Sequence, residues 1–366
     1  MIDLRSLPIP VIGAPMAGGP SAPTLAAAVT LAGGLGMLAG GSIRADALAA
    51  SVRAARDLLA TAGAHDAPIG VNLFVPRIAN VAERQIADLA AHVAAIDRYA
   101  THLAASALAA RLGVGRADLG AFSTDDDEDW DAKLAFLETE PVQVVTFTFG
   151  LPDLAVFERL HAVGSAVGVM VTSRSDALAA AYAGADVVIA QGVRAGGHRS
   201  TWRVQEQPNA DDTLVVVRSI AEVRHGPGHP RPVIVAAGGI DGPQRYSAAR
   251  VAGADLVQVG TALLRADEAG TKPTVLRALT DSGLGETVTT RAFSGRFARA
   301  IRNEFTDCVG ALAPAAYPEV NQLTGPLRAA AEAAGDVHGV SAYAGERWRA
   351  ARAAPAAEIL RELVGR

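Results

Sequence analysis

Two adjacent glycines, Gly196 and Gly197, deliver His198 in the stretch AQGVRAGGHRS (residues 190–200), directly after the apolar run 186–190. A histidine can take up or release a proton near neutral pH, because its ordinary pKa is about 6.5. Glycines ahead of it leave the backbone bare, so N–H groups can face a flat ring while the imidazole projects over it. Residues of similar character follow other apolar runs: Ala14, Pro15 and Met16, with Gly18 and Gly19 beyond; Asn72 in GVNLF; and Gln191 ahead of the glycine pair. Gly238 and Gly239 stand in AAGGI, and Gln258, Val259, Gly260 and Thr261 in QVGTAL. Such a set suits proton transfer beside a planar ring, with amides for its polar edge and glycine N–H groups for an attached anion.

These positions matter only if the fold brings them together. Continuous apolar runs at 9–14, 36–39, 69–75, 142–147, 166–171, 186–190, 233–237 and 255–259 read as parallel strands covered on both faces. Helical patterns at 24–32, 45–60, 154–161, 176–183 and 244–252 alternate with them, and Gly33, Gly184 and Gly253 mark helix ends. The expected class is α/β: a (β/α)₈ TIM-type barrel with a small cap subdomain after strand eight and a helical C-terminal tail. A doubly wound open sheet is the structural rival. Residues 1–268 form the barrel, with a helical insertion at about 80–131. Within it, 81–112 reads as one long helix, followed by the acidic stretch STDDDEDWD. Residues 269–310 are expected to cap the barrel mouth and 311–366 to pack as a helical tail. In a barrel the ligand site lies at the carboxyl ends of the strands, where the residues above all fall.

Composition removes several classes of function. The 366 residues, half of them hydrophobic, can bury a large core. A formal charge of −5 (33 basic, 38 acidic) with no basic stripe argues against nucleic acid as a partner. Lys133 and Lys272 are the only lysines and neither ends an apolar strand, which disfavours Schiff-base and pyridoxal-phosphate chemistry. One cysteine, Cys308, excludes an internal disulfide and a Cys-rich metal site; it reads as a small buried hydrophobe. No metal site, no membrane span and no leader are expected, and a cytoplasmic monomer or homodimer is the default. Gly34 and Gly36 resemble a dinucleotide fingerprint, but the strand follows them instead of preceding them.

An isoalloxazine with a monophosphate tail fits the remaining pattern: glycines for its face, amides for its polar edge, and a cradle at 238–239 and 260–261 that needs little lysine or arginine. The motifs APMAGGPS, GVNLF, QGVRAGGHRS, AAGGI and QVGTALL, in this order, resemble those of nitronate monooxygenases, formerly called 2-nitropropane dioxygenases. TRAFSGRFARAIRNEF and YPEVNQLTGPLR extend the resemblance over nearly the whole chain. It implies an FMN-dependent barrel enzyme that oxidises alkyl nitronates, such as propionate 3-nitronate, and neutral nitroalkanes with O₂, giving a carbonyl compound and nitrite. It also implies FMN contacts from Pro15, Met16, Asn72, Gln191, Gly196, Gly239 and Gln258 through Thr261, and a catalytic base at His198. The chain departs from the family pattern at Arg194 (usually glutamate), Ser200 (usually glycine) and Glu346 (usually glutamine). The first two are expected at the mouth of the pocket.

Other readings stay open at this point. His198 has a structural alternative, satisfying loop carbonyls. His92 and His102 read as surface histidines, His225 and His229 as loop residues before strand seven, and Asp125 to Asp129 as a solvated loop. Tyr317 reaches the substrate or simply packs. The nearest enzymatic rival is an FMN-dependent NAD(P)H oxidoreductase, an enoyl-acyl-carrier or quinone reductase, on the same barrel. A flavin-binding scaffold without activity is a third.

Overall fold

The computed structural model describes residues 1–222 and 231–366, so His225 and His229 lie outside the described residues. In chain order the strands are β1 (Val11–Gly13), β2 (Gly36–Ala39), β3 (Ile69–Phe74), β4 (Val144–Thr148), β5 (Ala166–Val171), β6 (Val187–Gln191), the two-residue β7 (Gly197–His198), β8 (Val233–Ala237) and β9 (Leu256–Val259). All but β7 lie in one parallel sheet, ordered β1-β9-β8-β6-β5-β4-β3-β2. The ring closes where Ile12 bridges Leu35, just ahead of β2, through hydrogen bonds of 3.0 Å in both directions between 11–13 and Leu35. The fold is therefore a (β/α)₈ barrel, and the open-sheet rival is excluded by that closing bridge.

Alternation along each strand explains why the runs are apolar throughout. Ile12, Met37, Val187, Ile189, Val233, Val235 and Leu256 meet in the barrel lumen. Their neighbours Val11, Leu38, Val188, Ile234, Ala236 and Val257 face outward into the layer under the helices. Successive side chains point to opposite faces of a strand, and here both faces are dry. Leu4, with Ile2 and Leu7 against it, joins the lumen cluster and plugs it from the N-terminal segment.

The helices are α1 (Pro23–Leu31), α2 (Ala45–Thr61), α3 (Leu89–Ala104), α4 (Ala107–Leu112), α5 (Trp130–Thr139), α6 (Leu154–Ala162), α7 (Arg174–Tyr182), α8 (Thr213–Ala221) and α9 (Pro243–Val251). Beyond β9 come α10 (Pro273–Ala278), the strands β10 (Thr287–Thr290) and β11 (Ala298–Ile301), then α11 (Glu304–Val309), α12 (Glu319–Ala334) and α13 (Ala356–Leu363). Gly33, Gly184 and Gly253 do end helices, at φ of +97°, +93° and +110°. Residues 81–112 are not one helix. Asp88 caps α3, and the chain breaks at Ala105 before Ser106 caps α4, because each side-chain oxygen accepts the backbone N–H three residues on.

Helices α3 and α4 from the insertion share a second core with Phe293, Phe305, Val320, Leu323 and Leu327 from the segment after the barrel. Strands β10 and β11 form an antiparallel hairpin whose inner strand pairs with β7, Ala298 opposite His198 and Arg299 opposite Gly197. Helix α13 returns to the barrel wall, where Ile359, Leu360 and Leu363 join the outer layer. Cys308, on α11, is exposed, which corrects its reading as a buried residue: its neighbours Thr306 and Val309 take the inward face of that turn.

Candidate active site

The carboxyl ends of the strands gather the residues singled out by type. Gln191 ends β6, and its Nε2 donates to the His198 carbonyl at 2.8 Å, while its Oε1 accepts from Ser200 N at 3.0 Å. Both ends of this amide are thus spent on shaping the 191–200 loop, so Gln191 places His198 from behind. Asn72 Nδ2 donates to Thr146 Oγ1 at 2.9 Å and to Thr148 Oγ1 at 3.0 Å, fixing the side chain and leaving Oδ1 without a donor among the described residues. Gln258 has no side-chain hydrogen bond there at all. Ala14 N donates to Val259 O at 2.8 Å, and Ser21 Oγ accepts from Met16 N at 2.7 Å while donating to Ala14 O, so the Ala14, Pro15, Met16 loop is held rigidly. Ser21 was not distinguished in the sequence.

The glycines are of two kinds. Gly196, Gly238 and Gly239 are places of close approach: a Cβ on Gly196 would lie 2.5 Å from the Ala344 carbonyl carbon, one on Gly238 2.8 Å from Ala195 Cβ, and one on Gly239 3.0 Å from Arg194 Cβ. Gly197, at φ +75°, is different, because a Cβ there would meet nothing within 4 Å. It faces open space. Gly239 O accepts from Arg245 Nε at 3.2 Å, and α9 begins just beyond at Pro243 with no side-chain cap. The backbone N–H groups of that first turn have no acceptor within the helix.

His198 stands in a ring of aromatics. Its imidazole lies 5.2 Å from Tyr343, 5.4 Å from Phe149, 5.8 Å from Tyr317 and 6.5 Å from Phe74, centroid to centroid. Its Nε2 is 2.8 Å from Ser294 Oγ. Phe149 has φ +76°, an uncommon conformation for a bulky side chain, and its carbonyl accepts from Asn80 Nδ2 at 3.1 Å. Arg296 stacks on Phe149 at 4.3 Å. Neither Phe149 nor Phe74, Ser294, Arg296, Arg328 or Tyr343 was singled out by sequence reasoning. The FSGR stretch at 293–296 is the signal that carried part of them.

Burial, then the charges of Arg296 and Arg328, push the His198 pKa down to about 3, so the imidazole is neutral at physiological pH. Arg296 itself is lowered to about 10 by burial and stays a cation. Tyr317 and Tyr343 are both raised by burial and stay phenols. A folded-state pKa below the unfolded 6.5 means that this group's contribution to stability is complete above about pH 6.5 and is lost as pH falls toward the folded pKa. The expected result is a denaturation midpoint that falls more between about pH 7 and about pH 4.5 in the parent protein than in His198→Asn. Equal falls would show that the imidazole titrates normally.

The three departures have defined surroundings. Ser200 is fully buried, away from any pocket mouth, donating to Met170 O at 3.2 Å, which corrects its expected position. Arg194 and Glu346 face one another at 3.7 Å, with Asp212 3.0 Å from Arg194 and Arg299 3.3 Å from Glu346. The charges that depart from the pattern are therefore matched to each other. Gly345 N donates to Thr261 Oγ1 at 2.9 Å, so the tail does reach the 260–261 turn. His92 is no surface residue: its Nε2 is 3.3 Å from Glu319 Oε1, with the two side chains 11% and 0% exposed. In the acidic loop, Asp126 and Asp129 pair with Arg44 at 2.8 and 3.2 Å, so that loop is only partly solvated. No cluster of metal-ligating side chains occurs among the described residues, and none of their helices is long and apolar enough to cross a membrane.

A barrel that carries an open glycine and a caged imidazole beyond its strand ends has the architecture of the (β/α)₈ enzymes. A family model for nitronate monooxygenase matches residues 2–365. The chain is 33% identical over 371 residues to a nitronate monooxygenase of Paraburkholderia phytofirmans, covering 99% of this chain and 93% of that one. Among solved structures, a nitroalkane oxidase from Streptomyces ansochromogenes superposes with a TM-score of 0.85 at 41% identity, covering 98% of this chain and 95% of that one. FabK from Thermotoga maritima shares the fold, with a TM-score of 0.70 at 24% identity over 99% of this chain and 93% of its own. The chain belongs to the nitronate monooxygenase family and is an oxidoreductase that acts on a small molecule.

Proposed function

We propose that this enzyme oxidises alkyl nitronates with O₂ to a carbonyl compound and nitrite, with FMN as its cofactor and His198 as the base that also admits neutral nitroalkanes. The observation that carries this reading is the neutral imidazole of His198, caged by four aromatic rings and flanked by two guanidiniums, beside a glycine that faces open space. Ala14, Pro15, Met16, Gly196, Gly197, Gln258 and Val259 would line the ring, with Asn72 Oδ1 at a polar edge; Gly238, Gly239, Gly260 and Thr261 would hold the phosphate. Bound there, FMN would supply the redox chemistry between the nitronate and O₂.

The protein's own part is positioning and proton transfer. Ser294 Oγ donates to Arg296 O at 3.3 Å, and in the tautomer we assign it accepts the His198 Nε2–H, leaving the Nδ1 lone pair for the substrate's α-proton. Arg296 and Arg328 lower the basicity of the imidazole, yet they stabilise the negative charge that grows on the nitro group as the proton leaves. A nitronate is already anionic and needs only the charge match. The test is the visible spectrum of the purified protein, then O₂ uptake and nitrite release with 1-butyl nitronate. A colourless protein that takes up no FMN, or NADH oxidation with a quinone or enoyl thioester in place of nitronate turnover, would overturn the reading.

A further inference from the structure

The C-terminal tail reaches the imidazole as well as the 260–261 turn. Strand β11 pairs with β7 at Ala298, opposite His198, and two residues further on Ala300 forms an antiparallel bridge to Tyr343. Ile301 N donates to Ala342 O at 2.9 Å, so residues 342–343 are fixed to the same hairpin that holds the histidine. The ring of Tyr343 thereby lies 5.2 Å from the His198 imidazole and edge-on to Phe293 at 5.9 Å. Its hydroxyl is buried and makes no hydrogen bond among the described residues. The neighbouring Ser294 favours its ionised form, but Ser294 Oγ is taken by His198 Nε2 at 2.8 Å.

Arg328, on α12, acts on both rings, since its charge lowers the pKa of His198 and opposes the rise in that of Tyr343. Its Nε donates to Thr324 Oγ1 at 3.1 Å, and its Nη2 to Asn321 O and Oδ1 at 2.7 and 2.9 Å. Its Nη1 has no partner among the described residues. The groups that favour its charged form are three phenols, Tyr343, Tyr99 and Tyr317, and no carboxylate is among them. Arg296 differs in this respect, because Glu83 and Glu206 act on it. Tyr99 spends its hydroxyl on Ala292 O, and Tyr317 shares a hydrogen bond of 3.2 Å with Ser42 Oγ. Of the three phenols only Tyr343 keeps its donor unused. A buried guanidinium without a counter-ion, beside a buried O–H without an acceptor, is a place for an oxyanion.

We propose that Tyr343 is a further catalytic residue, whose hydroxyl joins the Arg328 guanidinium in holding the nitro oxygens of the substrate. The inference rests on nitronate oxidation beside His198. As the α-proton passes to His198 Nδ1, the C–H electron pair becomes the C=N π bond and negative charge moves onto the two nitro oxygens. Tyr343 and Arg328 meet that charge where it forms. Burial keeps Tyr343 protonated, so it serves as a donor throughout the neutral range. A neutral nitroalkane gains this charge only in the transition state, whereas a nitronate carries it on binding and gives it up on oxidation. The same hydrogen bond therefore acts on kcat for the first substrate and on KM for the second.

Tyr343→Phe removes the hydroxyl and keeps the ring. Calorimetric titration of the FMN-loaded protein with sodium nitrite, which presents two oxygens on one nitrogen, reads the site without turnover. Nitrite affinity is expected to fall on the order of tenfold in the variant. Its Tm is expected to hold or rise, because a buried hydroxyl without a partner has been removed. In turnover, KM for a nitronate is expected to rise about tenfold at unchanged kcat. For a neutral nitroalkane, kcat is expected to fall on the order of tenfold or more at similar KM. Unchanged nitrite affinity in Tyr343→Phe overturns the proposal. So does a variant that loses flavin or Tm in step with its activity, since that marks a packing role. A parent that turns over neither substrate sinks the nitronate reading instead. The anion site is then judged by nitrite alone, and a parent that binds none rejects it.

Discussion

His198→Asn is expected to keep its flavin and to oxidise nitronates at nearly the parental rate, while losing about 10²- to 10⁴-fold in kcat/KM on neutral nitroalkanes. The two substrates separate proton transfer from everything else, because only the nitroalkane has a proton to lose. The substitution leaves the scaffold intact: β7 pairs with β11 through backbone groups, and Gln191 holds residue 198 by its carbonyl oxygen. Asparagine has no basic lone pair, yet it is polar and fits the place between Ser294 and the aromatic rings. Initial rates of O₂ consumption with each substrate, at equal flavin content, decide the matter. Parallel losses on both would mean that His198 shapes the pocket without serving as base.

Gly197→Ala is expected to abolish or severely weaken FMN binding, at a cost in folding stability of about 1–2 kcal/mol, that of a left-handed alanine. The added methyl enters the open space beside Gly197 where the ring is proposed to lie, at a φ of +75° that alanine tolerates poorly. A control with the same backbone cost exists in the chain. Gly63 has φ +76°, also with nothing within 4 Å of a built Cβ, in an exposed turn after α2, and Gly63→Ala should show the same loss of Tm with full flavin content. Flavin-to-protein ratio by absorbance, with Tm measured on the apoproteins, reads both effects. Should Gly197→Ala take up FMN as Gly63→Ala does, the ring lies elsewhere.

The strands were legible because a parallel barrel buries both faces, so each strand is a short apolar run, and all eight were placed within about two residues of their observed ends. Residues at strand ends were legible by position alone, and His198, Asn72 and Gln258 do come to one face of the barrel. Residues whose function depends on a partner far along the chain were read less well. Gln191 has the right place, but its amide is committed to the 198–200 loop. Ser200 is buried in the join between β5 and β6, where nothing local distinguishes it from a loop serine. His92 and Cys308 were each assigned the wrong exposure, since helical periodicity does not say which face a neighbouring helix will cover.

What the sequence determined by itself was the architecture and which residues fall at its strand ends, the glycine-then-histidine arrangement among them, because these follow from local composition and from one rule about strand ends. Only the tertiary structure decided the environment of the histidine. Phe74, Phe149, Ser294, Arg296, Tyr317 and Tyr343 come from five separated stretches of chain and converge through the β10–β11 hairpin and the second core. That convergence removes water from the imidazole and sets two guanidiniums near it, and the protonation state of a group depends on such through-space neighbours, which no spacing along the chain encodes.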